Sequence, residues 1–235
     1  MAALLMAGCS PMLPDRPAPA RYPAASSTSE APLVGALVDQ PIGGGTRAAV
    51  IREGADLRQC MAQLTAARVT FRPVPDRTTT GTCGLTAGGA LGPDMGTVAR
   101  MTPGDVEMTC QTALALSIWR RQSLEPAARE ILGSEVVQID HFGAYACRNV
   151  NNGAGSTRIS AHSQAMALDV SGVRLRDGRR ITLTEHWAGD GPEARFLRRI
   201  RDDACRIFGT TLSPDYNAVH RDHLHLEATD TRFCR

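Results

Sequence analysis

The patterning of this 235-residue chain predicts an α+β fold, an antiparallel sheet with flanking helices. Three observations carry that expectation. Stretches with strand-like alternation and stretches with helical periodicity are interspersed along the chain rather than segregated. Asp177-Gly178 lies between two alternating apolar stretches, which is a strong hairpin signal. Residues 192–208 place Phe196, Leu197, Ile200, Ala204 and Ile207 on one helical face, which reads as a helix packed on a sheet.

Taken in order, the first residues are Met-Ala-Ala-Leu-Leu-Met-Ala-Gly-Cys. Small residues directly before Cys9, after an apolar run, resemble a lipoprotein processing site, so residues 1–9 are expected to be a lipoprotein-type signal with Cys9 as the lipidated residue. Residues 10–47 are rich in Pro, Ser and Gly and read as a linker, so the folded body is expected over 48–235. Within it, 56–67 reads as a helix carrying Leu57, Met61 and Leu64, and 69–71 as a strand. The Gly-, Thr- and Pro-rich stretch 73–96 reads as a long irregular connection pinned by Cys83.

Residues 105–121 are expected to be helical, started by Pro103-Gly104-Asp105, with Val106, Cys110, Ala113, Leu114 and Ile118 on one face. A second helix is expected over 125–132, with Pro126 in its first turn and Gly133 ending it. Strands are expected at 136–139, 144–148, 167–173, 181–183 and 223–227. Trp119 and Trp187 are expected in the core, and Arg198, Arg199 and Arg201 on a solvated helix face.

Composition narrows the function classes. A formal net charge of +2 gives no electrostatic case for nucleic acid as a partner. All 26 basic residues are arginine, which removes Schiff-base lysine chemistry and the phosphate-loop lysine. Apart from Cys9, the cysteines are Cys60, Cys83, Cys110, Cys147, Cys205 and Cys234, and none forms a CxxC pair. An even six fits three disulfides in an oxidising compartment. The simplest of the allowed connectivities pairs sequence neighbours: Cys60 with Cys83, Cys110 with Cys147, and Cys205 with Cys234.

The chemistry concentrates in two clusters. One is Ser160-Ala161-His162 with Asp169 seven residues on; the other is His220-Arg221-Asp222-His223-Leu224-His225. Alternation on a strand points His223, His225 and Glu227 one way and Leu224 and Leu226 into the core. Asp169, on another strand, is expected to project from the same face, with His162 folding back from the loop before it. Two imidazoles and a carboxylate then form a three-ligand site with an open position, the form of a hydrolytic zinc centre. His223 stands beside the open position, Asp222 and His223 are the candidate bases, and His220 lies in the loop at the site mouth. Arg148 and Arg158 are suited to a substrate carboxylate or an oxyanion. Ser160 lacks the surroundings of a nucleophile and is expected to hydrogen-bond the ligand loop.

The run from Phe142 through Tyr145, Cys147-Arg148-Asn149 and Asn151 resembles the bacterial extensin-like C-terminal domain family. So do Ser160-Ala-His162, Ala167-Leu-Asp169 and His220-Arg-Asp222-His223-Leu-His225. The likeness spans roughly residues 55–235 and takes in Trp187, Phe196-Leu197, Cys205 and Cys234-Arg235. That family is similar in turn to zinc D-Ala-D-Ala carboxypeptidases and penicillin-insensitive murein endopeptidases. The resemblance implies a zinc D-Ala-D-Ala peptidase-like fold with His162, Asp169 and His225 as zinc ligands. It also implies His223 as the catalytic histidine and Arg148 on the substrate side, where Ser160 is a further candidate. Asp222 stands where many of those carboxypeptidases carry Glu. The implied function is a periplasmic, lipid-anchored zinc peptidase of the bacterial envelope acting on peptidoglycan or muropeptides. The alternative is a non-catalytic peptidoglycan-binding lipoprotein using the same cleft. Either way the membrane is reached only through the N-terminal lipid.

Overall fold

A computed structural model describes residues 35–151 and 156–235. The expected signal, its Cys9 and most of the expected linker lie outside the described residues. Packed structure begins before the expected boundary at residue 48: Leu37 and Val38 form a short 3-10 turn and are buried in the core. Helix α1 (Thr46–Gly54) follows, then α2 (Leu57–Ala66), which Asp56 caps by accepting the Gln59 N–H.

Half of the expected loop over 73–96 is strand. After β1 (Val69–Pro73) come a two-stranded hairpin, β2 (Arg77–Thr78) with β3 (Gly84–Leu85), and then β4 (Gly88–Asp94). Its glycines mark close strand contact. A Cβ at Gly89 would stand 2.4 Å from the Arg72 carbonyl oxygen, and one at Gly84 2.2 Å from that of Arg77. Next are β5 (Arg100–Thr102) and β6 (Val106–Thr109); β1, β4 and β6 form a three-stranded antiparallel sheet.

The helix expected from residue 105 begins at α3 (Cys110–Trp119), and the residues before it belong to β6. Thr109 is the start signal, since its hydroxyl accepts the Thr112 N–H at 3.2 Å. Every α3 residue except Gln111 is buried, so the helix runs through the middle of the molecule rather than showing one apolar stripe. The expected second helix is its continuation through a π turn (Arg120–Leu124), α4 (Glu125–Ala127) and a further π turn (Ala128–Leu132). The wide turn before Pro126 accommodates a ring that would clash with the carbonyl four residues back in a regular helix. Gly133, at φ 66°, ends it as expected.

The second sheet carries the chemistry. Its strands are β7 (Val136–His141), β8 (Ala167–Leu175), β9 (Arg180–Thr182), β10 (Thr210–Leu212), β11 (Leu224–Glu227) and β12 (Phe233–Cys234), joined by β5. The order is β12-β10-β11-β8-β7-β5, with β9 also on β8. The pairs are antiparallel except β5 with β7 and β10 with β12, which are parallel. The Asp177-Gly178 hairpin joins β8 to β9 as expected. Between β9 and β10 lie α5 (Leu183–His186) and α6 (Pro192–Ile207), whose apolar stripe is buried. Trp119 and Trp187 are core residues as expected. The fold is therefore α+β.

Two further expectations fail. Residues 144–148 are not a strand in the sheet, because their backbone bonds go to the His162 loop instead. Ala146 N–H donates to the His162 carbonyl, and the Arg148 carbonyl accepts the Ser160 N–H. Neighbour pairing of cysteines holds only for Cys205 with Cys234. Cys60 bonds Cys110, tying α2 to the start of α3, and Cys83 bonds Cys147, tying the β2–β3 hairpin to the 144–150 loop. Packing of α2 against α3 decides the first of these, since β1 and the β2–β3 hairpin carry Cys83 away from Cys60.

Candidate metal centre and cleft

Strand register brings the two sequence clusters together. In the antiparallel β8–β11 pair, His225 stands directly opposite Asp169, so both side chains leave the sheet on one face. His225 Nδ1 lies 2.7 Å from Asp169 Oδ1. His162 arrives from a 3-10 turn (Ala161–Gln164) whose cap is the Ser160 hydroxyl, accepting the His162 N–H at 3.3 Å. His162 Nε2 is 3.1 Å from Asp169 Oδ1 and 3.1 Å from His225 Nδ1. All three residues are buried.

The outward nitrogens of the two rings define the tautomers. His162 Nδ1 faces the Ala144 carbonyl oxygen at 3.0 Å, which can only accept, so Nδ1 carries the hydrogen. His225 Nε2 faces Glu227 Oε1 at 2.9 Å and donates to it. In the neutral rings, two nitrogen lone pairs and a carboxylate oxygen then point at one another, an arrangement that requires a proton or a cation between them. Ligands on a tetrahedral zinc with bonds near 2.0–2.1 Å stand about 3.3 Å apart, close to the spacings here. The donor set, its separations and its outer hydrogen bonds fit a borderline divalent metal.

Without a metal, a proton fills the role. Burial pulls the His225 pKa down, but hydrogen bonds to Asp169 and Glu227 outweigh it and raise the value to about 9. Burial pushes the Asp169 carboxyl up, yet hydrogen bonds from His162 and His225 hold it far below the usual carboxylate range.

Two further histidines border this centre. His223 Nδ1 lies 2.8 Å from Asp222 Oδ1, its Nε2 lies 3.6 Å from Asp169 Oδ1, and its ring meets Phe142 edge-on. His220 ends a 3-10 turn (Ala218–His220), its ring centroid 5.1 Å from that of His223. Burial and then the neighbouring His223 and His225 push its pKa down to about 4, so it is neutral. His223 therefore stands where alternation put it, although regular pairing of β11 starts one residue later.

The centre opens into a cleft of about 380 Å³. Arg148 and Arg158 line it on one side, and neither has a carboxylate partner among the described residues. Exposed Phe142, Tyr216 and Phe233 line it too. Ser160 borders the cleft, but its hydroxyl is engaged in capping the ligand turn. Asp222 lines the cleft and bonds His223 Nδ1 through Oδ1. His141 lies outside this cleft, buried against the Pro103 carbonyl.

Three participants escaped the sequence reading: the Ala144 carbonyl, Asn217, which accepts from His220 Nδ1 at 2.7 Å, and Glu227 in its role as partner of His225. Only Glu227 left a signal, its spacing two residues beyond His225 on a strand.

A family model described as Extensin-like protein C-terminus matches residues 58–235. No curated protein and no solved structure matches the chain.

Proposed function

The chain belongs to the extensin-like protein C-terminus family, and from that premise and the donor set of the cleft we propose a zinc-dependent peptidase acting on peptidoglycan stem peptides or cross-links. The observation that carries the reading is the convergence of His162 Nε2, Asp169 Oδ1 and His225 Nδ1, each outward ring nitrogen already bonded to an acceptor. A zinc ion held there supplies a Lewis acid and a water acidic enough to act near neutral pH.

The chain's own residues do the rest. Asp222 accepts a hydrogen bond from the Nδ1–H of His223, which leaves Nε2 to accept a proton from the attacking water and pass it to the leaving amine. Arg148 and Arg158 bind a peptide carboxylate at the cleft wall and fix the scissile bond relative to His223. The Cys83–Cys147 disulfide and the Arg148 N–H to Ser163 Oγ bond, 3.0 Å, hold the Arg148 segment against the ligand turn. Three disulfides among the described residues support an oxidising compartment, in keeping with an envelope protein anchored through Cys9.

The test is metal analysis of the purified protein together with digestion of purified sacculi. About one zinc per chain and chelator-sensitive release of D-Ala or opened cross-links are expected. Full zinc loading with no cleavage of any muropeptide refutes the enzymatic reading and leaves a metal-stabilised peptidoglycan-binding cleft.

A further inference from the structure

A second cavity, of about 600 Å³, lies away from the cleft and shares no lining residue with it. It is bordered by the segment running from β4 into β5, by the start of the π turn and by Val137 of β7. Leu91, Ala99, Met101 and Val137 give it apolar walls, while Met95 and Val98 are exposed.

Arg120 is the one buried cation in the lining. It is 1% exposed, and the only hydrogen bond of its side chain among the described residues runs from Nη2 to the Ala99 carbonyl oxygen. Nε and Nη1 have no partner, and no carboxylate lies within ion-pair distance. The nearest acids are committed elsewhere. Asp94 takes Arg121, and Glu125 takes the Thr97 hydroxyl and Arg129. Asp105, also in the lining, is paired with Arg72.

A guanidinium does not shed its proton in a protein, and a buried charge without a counter-charge is strongly unfavourable. Burial pulls the Arg120 pKa down, and the fields of Asp94 and Glu125, neither of them close enough for an ion pair, offset this only in part. Arg100 and Arg176 add positive charge around the same cavity, Arg176 paired with Glu135.

We propose that this cavity binds a small organic carboxylate with an apolar tail, its carboxylate against Arg120 and its tail along Leu91, Met101 and Val137. The volume exceeds what an inorganic ion fills, and the apolar walls favour a carbon body over a bare phosphate. This site is independent of the chemistry proposed for the metal cleft.

The experiment is calorimetric titration of the full chain with hexanoate, hexanol and inorganic phosphate, beside thermal denaturation in each. Hexanoate is expected to bind once per chain, and hexanol and phosphate not to saturate. Arg120→Met is expected to abolish binding. Should that variant fail to fold, Val98→Glu, at an exposed position, puts a negative charge by the cavity and is expected to weaken hexanoate about tenfold or more. No saturable hexanoate binding up to about 20 mM overturns the proposal. So does binding that survives both substitutions. Phosphate binding as tight as hexanoate overturns the assignment of an apolar tail.

Discussion

Glu227 gives the most direct test of how this chain prepares a metal site. Its Oε1 accepts the Nε2 hydrogen of His225 at 2.9 Å and thereby leaves Nδ1 free to face His162 and Asp169. Glu227→Ala removes the acceptor. The ring then either keeps a buried N–H without a partner, at about 1–3 kcal/mol, or moves the hydrogen to Nδ1 and abandons the ligand lone pair. Loss of such an outer partner lowers metal affinity about 10–100-fold, or about 1.4–2.7 kcal/mol, in line with the first figure. Glu227→Gln keeps an oxygen acceptor and should stay within about fivefold of the native affinity. Competition with a zinc-binding indicator reads both variants, with melting curves as a check on folding. Native affinity in Glu227→Ala refutes the argument. A Gln variant as weak as Ala would show that charge, not acceptor geometry, does the work.

Other outcomes follow from the same structure. His223→Ala should lower turnover about 10²–10⁴-fold with zinc content unchanged, and Asp222→Ala should do so less severely; loss of zinc in either variant contradicts the placement of His223 outside the ligand set. Zinc binding should weaken with acid, because His225 at about 9 must lose its proton: below that value the logarithm of affinity falls about one unit per pH unit, read by titration in buffers of different ionisation enthalpy. In the metal-free protein the sign is opposite for folding. The His225 pKa is raised from 6.5, so its stabilisation is complete below 6.5 and is lost as pH rises through about 9, whereas that of Asp169, whose pKa is lowered, is lost on acidification. Replacing Cys60 and Cys110 by Ala opens a link of sequence separation 50 and should cost about 4 kcal/mol in denaturant unfolding.

The site was more legible than the scaffold, for a physical reason. Strand alternation and ligand spacing are local, so His162, Asp169, His223 and His225 could be placed before any tertiary contact was known, and the β8–β11 register then set His225 against Asp169. The errors arose where tertiary contacts overrode local pattern. Glycines at 84 and 89 read as loop, yet they serve close strand contact. Val106 fitted a helical stripe, but pairing of β6 with β4 claims it and the Thr109 cap delays the helix. Alternation over 144–148 suggested a strand whose hydrogen bonds go instead to the His162 turn. Disulfide pairing depends on which elements pack side by side, which spacing does not encode.

One rule covers all four cleft histidines: each has one ring nitrogen bonded to an oxygen acceptor of the chain. The acceptors are the Ala144 carbonyl for His162, Glu227 for His225, Asp222 for His223 and Asn217 for His220. The Asn217 case is unambiguous. Its Oδ1 already accepts the Val219 N–H at 3.0 Å, so that atom is the oxygen and His220 Nδ1 must be the donor. The free nitrogens then divide the labour. Those of His162 and His225 converge with Asp169, while Nε2 of His223 lies 3.6 Å from Asp169 Oδ1, beyond hydrogen-bond distance, and Nε2 of His220 has no hydrogen-bond partner among the described residues. Long-range ¹H–¹⁵N spectra of the histidine rings in the zinc-loaded protein should therefore show Nδ1–H for His162, His220 and His223 and Nε2–H for His225. The His220 assignment should persist when zinc is removed, because its acceptor is a neutral amide and its low pKa keeps the ring uncharged. An Nε2–H tautomer at His220, or an Nδ1–H tautomer at His225 with zinc bound, would break the rule and with it the separation of binding from proton transfer.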